Sequence, residues 1–305
     1  MRTLIGAVLL VGLTAVPVCA QPAPPARLSA ESVLLLDTRG KVLYAKNPAE
    51  DHAPASLVKM MTLYLAFEDL EAGRARWDED VTVSAYAART PRFRLQLREG
   101  EVVPFHVLLE GVAVASANDA AVAVAEHLGG SEPAFVARMN AKAKTLGLRH
   151  TRFANPHGLT GPLQRTTAAD MAMLTGRLVR DYPAAGGLLG SQSFLFRGRV
   201  HSRSIPLFDN PGGVQALKTG FTREAGYNLA VSAWRAGESY LLIVLGARTR
   251  SLSFRDARQL LRFAFGEIAT EEPEIRPRTA KAPPRRGRAA HRAKAKAPIP
   301  VRSSR

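Results

Sequence analysis

The sequence predicts an α+β fold: an antiparallel sheet assembled from both chain ends, flanked by helices, with a helical subdomain inserted between its strands. Two observations predict it. Strand-like hairpins lie at the two ends of the apolar part of the chain, and helix signals fill the stretch between them. Residues 32–47, SVLLLDTRGKVLYAKN, read as two short strands around a turn at Asp37-Thr38-Arg39-Gly40. The segment from Ser56 onward is apolar around nearly its whole circumference, the pattern of a buried helix. PFHVLLEGVAV, NDAAVAVAEHLGG, EPAFVARMNAKAKTLGL and TAADMAMLTGRLVRDY each carry helix signals. In the last, Thr167 and Asp170 have the spacing of a capping box. VQALKTG, residues 214–220, reads as a strand, and residues 226–249 read as a second hairpin turning at Arg235-Ala236-Gly237-Glu238. Leu252, Ala257, Leu260, Leu261 and Phe265 then recur with helical spacing. A cleft between sheet and inserted helices is the expected ligand site.

Composition narrows the function classes. Arg2, the apolar run LIGAVLLVGLTAV, Pro17 and the small-residue site Val18-Cys19-Ala20 have the layout of a secretory signal peptide. About 13 apolar residues fall short of the roughly 20 that span a bilayer, which argues against a membrane anchor. The expected organisation is a signal peptide over residues 1–20, one domain over 21–268 and a basic disordered tail over 269–305. The mature chain is expected to be exported to the periplasm or cell envelope without a transmembrane segment. Its one cysteine leaves with the signal, so a disulfide, a thiolate nucleophile and a cysteine metal ligand are excluded from the exported chain. The 7 histidines are scattered without metal-ligand spacing, so neither metal nor cofactor is expected. Residues 276–305 contain 11 of the 42 Lys and Arg and none of the 26 Asp and Glu, so the net charge of +16 is largely a tail property. Such a tail either meets an anionic envelope surface or is simply solvated. Without a reading motif, nucleic acid is not an expected partner.

Three short motifs point to chemistry. In PASLVKMMTLYLAF, residues 54–67, Lys59 interrupts the buried helix one turn after Ser56, on the same face. A buried ammonium is costly unless it is paired or loses its proton, and a desolvated amine beside a serine is a base that activates the hydroxyl. The alternative is a serine cap with a snorkelling lysine. Ser116-Ala117-Asn118 displays two polar side chains where one helical run ends and another begins, suited to proton transfer and amide binding; the alternative is that Ser116, Asn118 or Asp119 caps the next helix. Lys218-Thr219-Gly220 ends a predicted strand, where lysine and threonine suit a carboxylate and glycine admits a ligand close to the strand edge; the alternative is a turn.

Taken together and in this order, S-x-x-K, S-x-N and K-T-G form the set shared by β-lactamases and penicillin-binding proteins. Over residues 28–265 the chain resembles the low-molecular-weight penicillin-binding proteins, the serine-type D-alanyl-D-alanine carboxypeptidases of peptidase family S11. ASLVKMMT, SANDAAVAVAEH, NPHGL and KTGFTREAGYNLAVSA support the likeness. The resemblance implies a β-lactamase/transpeptidase-like fold and removal of the terminal D-alanine from peptidoglycan stem peptides, with β-lactams as covalent inhibitors. It implies Ser56 as nucleophile, Lys59 as base, and Ser116 and Asn118 as the second motif. Substrate binding falls to Lys218, Thr219, Gly220, Phe221 (through its backbone N–H) and Arg248, and His157 is read as structural. Alternatives are a D,D-endopeptidase cutting cross-links, a β-lactamase, or a non-catalytic wall-binding protein. Ala117 stands where these carboxypeptidases often have glycine, and RVHSRSIPLFDNPGG stands where the family usually has an Asn-containing stretch. The basic tail stands where several relatives continue into a second β-rich domain and an anchoring helix, so a soluble or loosely attached envelope enzyme is expected.

Overall fold

The computed structural model describes residues 24, 25 and 27–267; the expected signal peptide and basic tail lie outside them. The first hairpin forms as predicted, β1 (Ser32–Leu36) pairing antiparallel with β2 (Val42–Lys46). Asp37 Oδ1 closes its turn by accepting the N–H groups of Arg39 and Lys41, both at 2.9 Å. A 3-10 turn over Ala55–Val58 then leads into α1 (Lys59–Glu71), buried without a break from Lys59 to Phe67, as its all-round apolar pattern requires.

A small hairpin of β3 (Asp80–Thr82) and β4 (Val102–Pro104) brackets α2 (Ala85–Arg89). The predicted middle follows: α3 (Phe105–Glu110), a π-helical turn (Gly111–Ala115), α4 (Asn118–Gly129), α5 (Glu132–Thr145) and α6 (Ala168–Asp181). The Thr167 hydroxyl caps α6 by accepting the Asp170 N–H at 3.1 Å. Only this half of the capping box is seen, because the Asp170 carboxylate turns to His150 N and Thr151 Oγ1. The short α7 (Pro183–Gly190) and the hairpin β5 (Ser193–Phe196) and β6 (Arg199–Ser202) come next. Then follow β7 (Val214–Thr222), β8 (Gly226–Arg235), β9 (Glu238–Ala247) and α8 (Arg250–Ala264).

The main sheet has the order β2-β1-β9-β8-β7, antiparallel throughout, so strands from both chain ends meet where β1 pairs with β9. Alternation along the strands divides their side chains between two cores. Leu229, Val231, Leu242 and Val244 pack with Phe254, Leu260 and Leu261 of α8. Ala230, Ile243 and Leu245 face the inserted helices, whose core includes Met60, Leu63, Leu108 and Val122. β7 is an edge strand, and the 3-10 turn bearing Ser56 lies beside it. No helix among the described residues is long and apolar enough to cross a membrane.

Candidate active site

Lys59 opens α1 with 0% of its surface exposed. Its Nζ donates to Asn118 Oδ1 at 2.7 Å and to the His157 carbonyl at 2.5 Å, and it lies 3.2 Å from Ser56 Oγ. Burial lowers its pKa from 10.5 to about 7, against the opposing pull of the Asp119 carboxylate. The 155–159 loop that supplies the carbonyl is folded on itself: Asn155 Oδ1 accepts the N–H of Gly158 at 2.7 Å, and the His157 ring accepts the Leu159 N–H at Nδ1. Burial first and Lys59 second push His157 down to about 3, which keeps its ring neutral. Gly158, at φ +90°, packs so closely that a Cβ there would lie 2.0 Å from the Ala55 carbonyl oxygen. The loop therefore buttresses the residue just before Ser56. Ala55 itself has a left-handed backbone, φ 48°, so the nucleophile candidate follows a strained position.

Ser116 ends the π-helical turn in the left-handed region, φ 56° and ψ 33°, a conformation costing a non-glycine residue on the order of 1–3 kcal/mol. An Ala117 N–H bond to Gly111 O at 2.9 Å closes the turn. The capping alternative for this motif does not hold, since α4 has Ala117 at its N-cap and no side-chain cap bond. Asn118 instead faces inward, its amide donating to Pro91 O at 2.9 Å while its oxygen receives Lys59. The buried Asp119 carboxylate accepts the N–H groups of Leu95 and Leu97 at 3.0 and 3.1 Å.

Lys218, 1% exposed, reaches from β7 to donate to Ser116 Oγ at 2.8 Å and to Thr219 O at 3.0 Å. Burial, then the charges of Lys59 and Arg203, hold its pKa well below the ordinary lysine value. Arg203 braces the strand by donating to Leu217 O at 2.9 Å, Ser191 O at 3.0 Å and Leu189 O, and burial brings it down to about 10. On β7, Gly220 lies where a Cβ would come within 3.0 Å of the Ser56 nitrogen and 3.2 Å of Pro54 O. Opposite it on β8, Asn228 donates to Ala53 O and Pro54 O at 3.0 and 3.2 Å and accepts Gly246 N–H at 2.9 Å.

The fold thus brings Ser56, Lys59, Ser116, Asn118, Lys218, Thr219 and Gly220 together around one cavity of about 280 Å³. Ser56, Ser116, Thr219, Gly220 and Phe221 line it, with Phe93, Tyr227, Asn228 and Arg250, which the motifs did not indicate. Arg248 lies one residue beyond β9, exposed, and is not among the lining residues; Arg250 is, with its guanidinium on Ser204 O at 2.8 Å. A larger groove, about 890 Å³, runs between α6, α7 and the β1–β2 turn, but it holds none of the three motifs. The arrangement around Ser56 suits acyl transfer: a hydroxyl, a dry amine, a second amine joined to a serine, and an open strand edge.

Comparison with known proteins agrees. The family model described as D-alanyl-D-alanine carboxypeptidase matches residues 19–249. The D-alanyl-D-alanine carboxypeptidase DacA of Escherichia coli K12 is 36% identical over 255 residues, covering 81% of this chain and 63% of that protein. The chain therefore spans a little under two thirds of that relative's length. Penicillin-binding protein 5 of Haemophilus influenzae superposes with a TM-score of 0.76 at 34% identity, covering 80% of this chain and 72% of that one. Penicillin-binding protein D2 of Listeria monocytogenes, solved in an ampicillin-bound form, does so with a TM-score of 0.70 at 30% identity, covering 80% and 100%. With the transpeptidase-like fold, the three motifs in one cleft and a family match over most of its length, the chain belongs to peptidase family S11, the D-alanyl-D-alanine carboxypeptidases.

Proposed function

We propose that this chain is a serine-type D-alanyl-D-alanine carboxypeptidase of the periplasm or cell envelope, removing the terminal D-alanine from peptidoglycan stem peptides. The observation that carries the reading is the buried Lys59 amine beside Ser56 Oγ. Its two shorter hydrogen bonds, to Asn118 Oδ1 and His157 O, account for both N–H groups of a neutral amine and leave the lone pair for the Ser56 hydroxyl. In the proposed mechanism Ser56 Oγ bonds to the carbonyl carbon of the D-Ala–D-Ala link as its proton passes to Lys59. The backbone N–H groups of Ser56 and Phe221 hold the developing oxyanion. As the C–N bond breaks, the proton taken up by Lys59 passes through Ser116, which Lys218 orients, to the leaving amine, and Lys59 is neutral again. Water, deprotonated in turn by Lys59, then hydrolyses the ester. Lys218 and Thr219 take the substrate's terminal carboxylate, with Arg250 also on the cavity wall. β-Lactams acylate Ser56 as mimics of the dipeptide, and the basic tail holds the enzyme near an anionic envelope surface.

Digestion of purified muropeptides, with products identified by mass, tests this reading. Loss of one D-alanine from pentapeptide stems is the expected product. Opened cross-links without that loss would make the chain an endopeptidase. Ser56→Ala is expected to abolish both D-alanine release and labelling by fluorescent penicillin, and labelling of that variant would remove Ser56 from the nucleophile role.

A further inference from the structure

The cavity beside Ser56 is lined by two unlike kinds of side chain. One kind is polar, the Thr219 hydroxyl and the Arg250 guanidinium, with Lys218 joined to the lining Ser116. Another part of its wall is aromatic and uncharged. Phe93 lines it from the segment between α2 and β4, with 57% of its surface exposed, and Phe221 lines it from β7, 40% exposed and stacked on Tyr227 at 4.3 Å between ring centroids.

The backbone around Phe93 is unusual. Arg92 at φ 59°, Phe93 at φ 27° and Gln96 at φ 59° are all left-handed without being glycine, a conformation that persists only where surrounding structure enforces it. Asn118 of the second motif and Asp119 beside it provide that enforcement. The Asn118 amide holds Pro91 O, the Asn118 N–H holds Phe93 O at 2.7 Å, and Asp119 holds the Leu95 and Leu97 N–H groups. Asn118 therefore positions Lys59 with its side-chain oxygen and Phe93 with its backbone, so the base and the aromatic wall share one anchor. Local stability does not explain a large apolar ring held out at the mouth of a cavity; recognition does.

We propose that Phe93, with Phe221, is a specificity-determining residue that grips an apolar side group on the acyl-donating part of the substrate. Such a group is the aliphatic stretch of a stem-peptide diamino acid or the aryl side chain of a β-lactam. The uncharged rings complement that part of the ligand, whereas the terminal carboxylate suits the hydroxyl and cationic groups. The inference rests on the reading of Ser56 as the acylated residue.

The test compares second-order acylation rate constants of the full chain for benzylpenicillin and for 6-aminopenicillanic acid, which share a nucleus and differ in the aryl side chain. In Phe93→Ala the benzylpenicillin constant is expected to fall about tenfold while the bare nucleus changes by less than about twofold; Phe93→Trp restores the preference. With peptides, diacetyl-L-Lys-D-Ala-D-Ala should show a raised KM and little change in kcat, and acetyl-D-Ala-D-Ala should be unaffected. The two pairs separate the β-lactam and stem-peptide forms of the ligand. Equal losses on both members of each pair, or no loss on any, overturn the proposal. Failure of the wild-type chain to be acylated by either β-lactam overturns the Ser56 reading itself, a result distinct from a normally acylated wild type that Phe93→Ala matches.

Discussion

A lysine with no exposed surface, bonded to one amide oxygen and one carbonyl, has a pKa of about 7 because burial penalises its charged form more than Asp119 supports it. The amine is therefore protonated below that value and free above it. The acylation rate constant is expected to rise through about pH 7 and level off above it, as measured with a chromogenic β-lactam. His157, neutral above about 3, contributes nothing to that profile. Lys59→Arg keeps a cation that does not give up its proton in this range, so acylation should fall by about 10²- to 10⁴-fold with no rise near pH 7. Lys59 was legible in the sequence because a charge inside an all-apolar helix contradicts the pattern around it. Arg203 was not, because its partners are carbonyl oxygens of Leu189, Ser191 and Leu217, which leave no trace in side-chain identity.

At the scale of elements, the segment between α2 and β4 and the start of α4 act as one unit through Asn118 and Asp119. Asp119→Asn removes the charge that raises the Lys59 pKa, so the midpoint of the acylation profile should move below about 7. It also weakens two charge-assisted bonds to backbone N–H groups, each worth about 1.5–3 kcal/mol, and thermal unfolding should show the loss. The hairpins at residues 32–47 and 226–249, β7 and α8 were readable because each follows a local period of 2 or 3.6. The β5–β6 hairpin was not read as an element. Its two-residue turn at Arg197-Gly198 is held by Arg197 on Glu101, 96 positions away, and no local period reports such a contact. Likewise Ser116 occupies a left-handed position where local preference favours glycine, because Lys218, 102 positions away, takes its hydroxyl.

For the molecule as a whole, the sheet's dependence on both chain ends is reinforced outside the strands. The carboxylate of Asp256 on α8, fully buried, accepts the N–H groups of Ser29 and Ala30 at 2.6 and 2.9 Å, just ahead of β1. Asp256→Ala is expected to destabilise the fold by about 2–5 kcal/mol in a denaturant titration, because one buried and one part-buried donor lose their acceptor. The three motifs, far apart in the chain, disclosed the site through their order. Phe93, Asn228 and Arg250 stayed hidden because their place at the cavity is set only when sheet and helices close on each other. That closure leaves Lys59 and Lys218 both buried, with the charge of Lys59 adding to the burial that lowers the Lys218 pKa. On the proposed function, an anionic substrate terminus arriving there relieves that burden, so binding is expected to draw hydrogen ions from solution. With Ser56→Ala, the heat of binding a D-Ala-D-Ala peptide should therefore depend on the ionisation enthalpy of the buffer, and identical heats in phosphate and Tris would show that no such uptake occurs. On the proposed function, recognition and proton inventory are then coupled: the substrate helps set the charge state of the site it enters.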